Sequence, residues 1–225
     1  MRFEDFSESN AHSLGFYSFA AKYMCEFMYA AWSIGEPAPE IKAKAWFPES
    51  KKIKEFKLSD FRGRWVILTF YPGDFTFVCA TDIEAFMSSY EEFKKNGADI
   101  VAISTDSVYS HKAWSESSPR VKGSSIPLIE DFNKKISTEY GFLNAETGAA
   151  RRGSVIVDPD GVVQYVAIHN DALGKDVDHI FTSFMALKYV RDTPASEGHI
   201  CAIPANWKIG KRALDIDIVN DIGKL

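Results

Sequence analysis

The chain has 225 residues, of which 46% are hydrophobic and 25% charged, and its formal net charge is −5. This length suits one compact domain with a sizeable core, and the composition is ordinary for a globular protein. The acidic balance argues against nucleic-acid binding, and the three widely spaced cysteines do not form a secreted disulfide framework. The dispersed histidines argue against a zinc site. We therefore expect reactive thiols in a reducing cytoplasm.

Residues 14–32 are almost continuously apolar and form the first predicted element. One narrow polar stripe at helical spacing interrupts them. Its members are Gly15, Ser18, Lys22 and Glu26. The charges disfavour a membrane span, and the acidic residues before the run disfavour a signal peptide. We expect residues 1–33 to be a helical extension packed on its own domain or another subunit, with membrane-surface attachment as the alternative. Cys25 lies inside this helix and is expected to be structural.

The rest of the chain alternates between predicted strands and helices, which is typical of an α/β domain. Strands are predicted at 41–47, 53–58, 65–70, 99–104, 126–129, 154–157 and 162–169. Helices are predicted from near 82 to 96 and at 108–117, 134–140 and 176–191. The order suits a thioredoxin-like fold over residues 34–195, with a central mixed sheet flanked by helices. Residues 196–225, rich in Gly, Pro and Asp, are expected to be a mobile arm.

The segment between the strand at 65–70 and the following helix carries the clearest chemical signal. Cys79 falls in the first turn of that helix, where unpaired backbone N–H groups and the helix dipole favour a thiolate. Thr76 precedes it by three residues and can direct its hydroxyl at whatever the thiolate attacks. Pro72 ends the strand and shields the loop from water. The alternative is a structural cysteine at a helix start.

The pattern Pro-x-x-x-Thr-x-x-Cys in this setting resembles the active-site loop of the peroxiredoxins, thiol peroxidases that reduce hydroperoxides. Three further segments are similar to that family: residues 34–39, Asp106-Ser107 with His111 to Trp114, and Arg152 to Asp158. Residues 189–191, 204–208 and 222–225 most resemble its alkyl hydroperoxide reductase C, or typical two-cysteine, branch. The resemblance implies a catalytic set of Pro72, Thr76, Cys79 and Arg152.

An arginine suits this chemistry because a guanidinium stabilises a nearby thiolate and can hydrogen-bond both peroxide oxygens. Arg151 and Arg152 are adjacent, and on a strand they point to opposite faces, so only one can serve. The spacing to Asp158 favours Arg152. A structural salt bridge is the alternative for either residue.

Two positions beside Cys79 depart from the family pattern. The family usually has Cys-Pro-Thr-Glu where this chain has Cys79-Ala80-Thr81-Asp82. Without the proline the helix start loses a fixed φ, and the shorter Asp82 reaches less far toward an arginine. Both changes are expected to alter thiolate activation or the ease with which the first turn unwinds.

The resolving cysteine also departs from the pattern. The branch places it directly before Pro-Ala-x-Trp, where this chain has Ile203, and Cys201 lies two residues earlier. In an extended chain two residues span about 6.6 Å at most, and side chains two positions apart, such as Cys201 and Ile203, point to the same side. We therefore assign Cys201 as the resolving residue, with a one-cysteine peroxidase reduced by an external thiol as the alternative.

The resemblance implies a complete cycle and its partners. A hydroperoxide oxidises Cys79 to sulfenic acid, Cys201 of another subunit forms a disulfide with it, and a thioredoxin-type protein or a flavoprotein disulfide reductase restores both thiols. No metal, haem or flavin is expected on this chain. An isologous homodimer is implied, compatible with a ring of five dimers.

Two other classes compete with the peroxidase. A thioredoxin-like disulfide reductase requires a Cys-x-x-Cys pair, and the sequence has none. A non-enzymatic holdase or structural ring protein stays open as a secondary role.

Overall fold

The computed structural model describes residues 32–221 and 223–224. The predicted N-terminal helix lies outside these described residues except for Trp32, and Cys25 lies outside them as well. The strands are β1 (Lys42–Phe47), β2 (Lys52–Lys57), β3 (Trp65–Phe70), β4 (Ala98–Ser104), β5 (Leu128–Glu130), β6 (Arg152–Val157), β7 (Val163–His169), β8 (His199–Ala202) and β9 (Leu214–Asp217). The α-helices are α1 (Phe77–Lys95), α2 (Val108–Ser117), α3 (Lys135–Glu139) and α4 (Val177–Asp192), and a 3₁₀ helix spans Leu58–Phe61.

Seven strands form one mixed sheet in the order β2-β1-β5-β4-β3-β6-β7. The central pairs β3–β4 and β4–β5 are parallel, whereas β3–β6, β6–β7, β1–β5 and β1–β2 are antiparallel. This is the predicted thioredoxin-like arrangement.

Strand β3 lies at the centre and is buried along its whole length. Its side chains alternate between two cores, one on each face of the sheet. Trp65 and Ile67 belong to the core beneath α1, α2 and α4, whereas Val66, Leu68 and Phe70 belong to the core beneath α3. Because both faces are covered, the loop that follows β3 leaves a rigid sheet.

The predicted strand at 126–129 begins two residues later, at Leu128, and α1 begins five residues earlier than its apolar stripe indicated. Phe77 opens this helix and is 92% exposed, so it does not follow the apolar periodicity. The remaining predicted elements match the observed ones to within about two residues at each end.

The C-terminal arm contains two strands that the sequence did not predict. Strands β8 and β9 pair antiparallel, with Cys201 opposite Asp215. The buried Trp207 lies with its ring 6.2 Å from that of Tyr189 on α4. The segment predicted to be a mobile arm therefore contains a hairpin and an aromatic contact with α4. None of the helices in the described part of the chain combines the length and apolar character needed to cross a membrane.

Gly153 provides a test of the β6–β7 packing. A Cβ at this position would overlap the carbonyl oxygen of Ala167 and lie 2.5 Å from Cε1 of Phe142. We expect Gly153→Ala to lower the free energy of unfolding by about 1–3 kcal/mol, because backbone must move to admit the methyl group. Urea denaturation measures this change. Gly73→Ala is the control, since its Cβ would come no closer than 3.5 Å to any neighbour; equal midpoints for the two variants would contradict the packing described.

Candidate active site

Cys79 lies at the third position of α1, in its first turn. Thr76 is the N-cap residue with an extended backbone, and Phe75 before it adopts a left-handed φ of 58°. That conformation is uncommon for a residue other than glycine and turns the chain sharply from the loop into the helix. The thiol of Cys79 is 1% exposed and faces the core under α1, near the positive end of the helix dipole.

Arg152, the first residue of β6, reaches the sulfur. Its Nη2 donates to Cys79 Sγ at 3.5 Å. The same guanidinium is held from the other side by the backbone carbonyl of Asp171, which accepts from Nε at 3.2 Å and from Nη2 at 3.0 Å. These bonds fix the orientation of the plane, so Arg152 presents a donor to the sulfur without rearrangement.

Asp82, one turn after Cys79 on α1, joins two basic side chains. Its Oδ2 pairs with Nη1 of Arg152 and accepts from Nζ of Lys175 at 2.9 Å, and its Oδ1 accepts from the backbone N–H of Lys175 at 2.9 Å. All three side chains are buried. Burial alone would lower the pKa of Arg152, but the charges of Asp82 and Cys79 outweigh it and raise that pKa above its ordinary value.

A second polar network holds the loop before α1. Asp74 accepts from the hydroxyl of Tyr71 at 2.8 Å and lies 2.9 Å from Nδ1 of His111, while its backbone N–H donates to Asp106 at 2.8 Å. Burial raises the pKa of Tyr71 well above its usual value, and the charge of Asp74 adds to this effect. The phenol therefore stays protonated and serves as a hydrogen-bond donor.

The other predicted residues occupy distinct places. Pro72 follows Tyr71, the first residue after β3, and is half-buried. The Thr76 hydroxyl is exposed and donates to the carbonyl of Gly73 at 2.8 Å. Arg151 is exposed, so the structure brings Arg152 and not Arg151 to the sulfur. Cys201 is half-buried on β8, and both it and Cys79 are free thiols.

The arrangement places a thiol in the first turn of a helix beside a fixed cation. Arg152 offers an N–H group beside the sulfur, where it can stabilise negative charge that develops on an attacked oxygen. Among the described residues, no group of three or more His, Cys, Asp or Glu side chains is placed to hold a metal ion.

Comparison with known proteins agrees with this geometry. The AhpC/TSA family model matches residues 34–166. An alkyl hydroperoxide reductase C from Amphibacillus xylanus is 40% identical over 191 residues, covering 84% of this chain and 98% of the relative. The chain belongs to the AhpC/TSA family of peroxiredoxins. This confirms the expected peroxidase-type oxidoreductase.

Solved structures extend the likeness to three dimensions. A reduced 2-Cys peroxiredoxin from Plasmodium vivax superposes with a TM-score of 0.72 at 34% identity, covering 80% of this chain and 91% of the other. AhpC from Enterococcus faecalis superposes with a TM-score of 0.68 at 26% identity, covering 71% and 94%. These matches confirm the thioredoxin-like fold.

The sequence did not reveal every member of the charged cluster around Cys79. Lys175 and Asp171 come from the loop between β7 and α4, far along the chain from Cys79. The only local signal was Gly174-Lys175-Asp176, in which Asp176 caps α4 by accepting from His179. Although Asp82 is shorter than the usual glutamate, it contacts Arg152 directly.

His169 lies opposite Arg152 on the neighbouring strand β7 and gives the site a pH dependence. Its buried Nδ1 has no hydrogen-bond partner among the described residues. Burial, followed by the charge of Lys175, lowers the pKa of His169 below its ordinary value of 6.5. The unfolded chain therefore takes up this proton at a higher pH than the folded protein does, so stability falls as the pH drops through about 6.5.

We expect His169→Gln to lose less stability than the wild type between about pH 7.5 and pH 5.5, a range that brackets the ordinary histidine pKa. Urea denaturation at both pH values measures the loss. An equal loss in His169→Gln and wild type would contradict the assignment.

Proposed function

We propose that this protein is a thiol peroxidase that reduces hydroperoxides with Cys79 as the nucleophile. The observation that carries the proposal is the 3.5 Å contact between Nη2 of Arg152 and Cys79 Sγ inside a buried charged cluster. A cysteine that only packs in a core has no need of a fixed guanidinium. Membership of the peroxiredoxins supports the same chemistry.

The first step is oxidation of the thiolate. The sulfur of Cys79 attacks one peroxide oxygen, an S–O bond forms as the O–O bond breaks, and the leaving oxygen takes a proton from solvent. The products are the Cys79 sulfenic acid and water or an alcohol. Arg152 stabilises the charge that moves from the sulfur onto the leaving oxygen. We infer that the exposed hydroxyl of Thr76, at the N-cap of α1, contacts the incoming peroxide.

The second step is condensation of the sulfenic acid with Cys201 of a partner subunit, which forms a disulfide and releases water. A disulfide requires the two Cα atoms to lie about 4.4–6.8 Å apart, and Cys79 is enclosed, so the first turn of α1 must unwind. Ala80, in place of the usual proline, leaves this turn without a fixed φ and eases the change. The β8–β9 pairing at Cys201 must also open.

The third step is reduction of the disulfide by an external dithiol through thiol–disulfide exchange. We infer a thioredoxin-type protein or a flavoprotein disulfide reductase as the donor, in line with relatives named alkyl hydroperoxide reductase C. A homodimer in which the arm crosses between subunits, assembled further into a ring of dimers, would bring Cys201 to its partner.

Cysteine variants test the cycle. After one equivalent of hydrogen peroxide, the wild type and Cys25→Ser should run as covalent dimers on a non-reducing gel. Cys201→Ser should consume the peroxide once and stay monomeric, and Cys79→Ser should consume almost none, because an alcohol is hardly ionised near neutral pH. Peptide mass mapping identifies the linked residues.

Each other outcome has a definite meaning. Substantial turnover by Cys79→Ser would refute the nucleophile. A wild-type chain that consumes peroxide but stays monomeric would make this a one-cysteine enzyme reduced by an external thiol. A dimer lost only in Cys25→Ser would move the resolving role to Cys25. Suppression of client aggregation without peroxide consumption would favour the holdase.

The adjacent residues Arg151 and Arg152 provide matched variants that test which arginine stabilises the transition state of peroxide reduction. We expect Arg152→Met to lower the rate of Cys79 oxidation by about 10²–10³, the typical cost of removing one preorganised donor. Arg151→Met should stay within about twofold of wild type, because Arg151 is exposed at the strand start. Stopped-flow oxidation with excess peroxide gives both rate constants, and the opposite order of effects would refute the assignment.

A further inference from the structure

The hairpin of β8 and β9 brings four polar or reactive side chains onto one face. In the register of the two strands, His199 lies opposite Asp217 and Cys201 lies opposite Asp215. Side chains two positions apart on a strand point to the same side, so His199 and Cys201 share a face with both carboxylates. The proposed cycle uses only Cys201 from this group and gives no task to the histidine or to the two aspartates.

Hydrogen bonding determines which nitrogen of the His199 imidazole carries the proton. Its Nδ1 lies 3.0 Å from Oδ1 of Asp215. Because an ionised carboxylate only accepts hydrogen bonds, Nδ1 carries the proton and donates it to this contact. Nε2 lies 3.9 Å from Oδ2 of Asp217, beyond hydrogen-bond distance. In the neutral ring Nε2 therefore keeps its lone pair and can take a second proton.

The contact with Asp215 also directs the imidazole toward the thiol. Asp215 is the cross-strand neighbour of Cys201, and such neighbours have Cβ atoms about 4.5–5.5 Å apart. His199 and Cys201 are two positions apart on β8, which is about 6.6 Å along an extended strand. A ring that leans toward Asp215 thus reaches the sulfur by rotation of the two side chains. Since the thiol and the imidazole lie on one strand, they stay together when the pairing of β8 with β9 opens.

A purely structural role explains these contacts less well. The side chain of Asp215 is 69% exposed, and ion pairs as exposed as this one add little stability. Among the described residues, His199 is the only hydrogen-bond partner of the Asp215 carboxylate. Asp217 differs, because it also accepts from Val219 and Asn220 in the turn. Hydrogen bonds from Asn220 lower the pKa of Asp217, so this carboxylate stays ionised beside the histidine.

We propose that His199 takes the proton of the Cys201 thiol and so prepares this cysteine as the nucleophile of the disulfide-forming step. Proton transfer to Nε2 gives a thiolate beside an imidazolium, and a positive neighbour of this kind stabilises a thiolate. Asp215 and Asp217 favour the charged form of the ring. Among the described residues, they are the charged side chains within 4.0 Å of His199.

The same proton completes the reaction. The Cys201 thiolate attacks Sγ of the sulfenic acid at Cys79 of the partner subunit, and an S–S bond forms as the S–O bond breaks. The leaving hydroxide takes the proton from the His199 imidazolium and becomes water. The sulfenic sulfur is reduced and the thiol sulfur is oxidised to the disulfide, so the step needs no further oxidant. This inference rests on the proposed two-cysteine cycle.

The test measures the reactivity of Cys201 without peroxide, in a background of Cys25→Ser and Cys79→Ser so that one thiol remains. Iodoacetamide alkylates the thiolate, and its rate at pH 7 reports the ionised fraction of Cys201. A free thiol is only a few per cent ionised at this pH, so activation can raise the rate by about 30-fold at most. We expect His199→Gln to lower the rate about tenfold. Ile200→Gln, on the opposite face of β8, is the control and should stay within about twofold of the background.

The direction of the change and its pH dependence distinguish a chemical role from a structural one. If His199 only joined the two strands, its loss would open the hairpin, and the half-buried Cys201 would be alkylated faster. We expect slower alkylation at pH 7 and rates that converge near about pH 10, where the thiol is ionised in both proteins. An unchanged or faster rate in His199→Gln at pH 7, or a loss of equal size at both pH values, would refute the inference.

A second measurement keeps this inference separate from the proposed cycle. In a chain with only Cys25→Ser, quenched samples taken after one equivalent of hydrogen peroxide follow the covalent dimer over time. His199→Gln should leave oxidation of Cys79 unchanged and slow dimer formation about tenfold. Dimer formation at the background rate would contradict the role of His199. Slower alkylation in a protein that never forms the dimer would refute Cys201 as the resolving residue and leave its activation by His199 intact.

Discussion

The Asp82 carboxylate is the point on which the site depends. It joins α1 to β6 through Arg152 and to the loop before α4 through Lys175. Burying these charges costs several kcal/mol for each ion unless every one is paired, so removing any member leaves its partners uncompensated. The same contacts that connect the helix to the sheet therefore also determine the electrostatic surroundings of Cys79.

A separate hydrogen-bond network holds the loop that precedes α1. Asp74 binds Tyr71 and His111, and its backbone binds Asp106, so the turn with the left-handed Phe75 is fixed to β3 and α2. Cys79 lies between the two networks. The start of α1 is attached to β6 and to the loop before α4 through these charge pairs, in addition to the apolar core that contains Cys79, Ala80 and Ile83.

Much of this organisation follows from local patterns. Strand β3 was predictable because its continuous apolar run must be buried on both faces, and the hairpin of β6 and β7 because Asp158 to Gly161 form a strong turn. Alternation along a strand showed that only one of Arg151 and Arg152 can reach the sulfur, and the spacing to Asp158 favoured Arg152. These inferences needed only neighbours in the sequence.

Other features depend on residues far apart in the chain. Lys175 and Asp82 are separated by 93 positions, and no local pattern indicates that they meet. The β8–β9 hairpin was missed because Gly, Pro and Asp are abundant in both turns and disordered arms, and its anchor is a tertiary contact between Trp207 and Tyr189. The start of α1 was missed because the exposed Phe77 breaks the apolar periodicity.

Cys79 is the site of peroxide attack because of its position at a helix start beside the Arg152 guanidinium, and not because of thiol chemistry alone. A competition among the cysteines of one native chain tests it most directly: a dose of peroxide well below one equivalent is added with a sulfenic acid trap, and peptide mass mapping quantifies the adduct at each cysteine. We expect nearly all of the adduct to lie on Cys79. Comparable labelling of Cys79 and Cys201, of which only Cys79 lies beside a guanidinium, would contradict it.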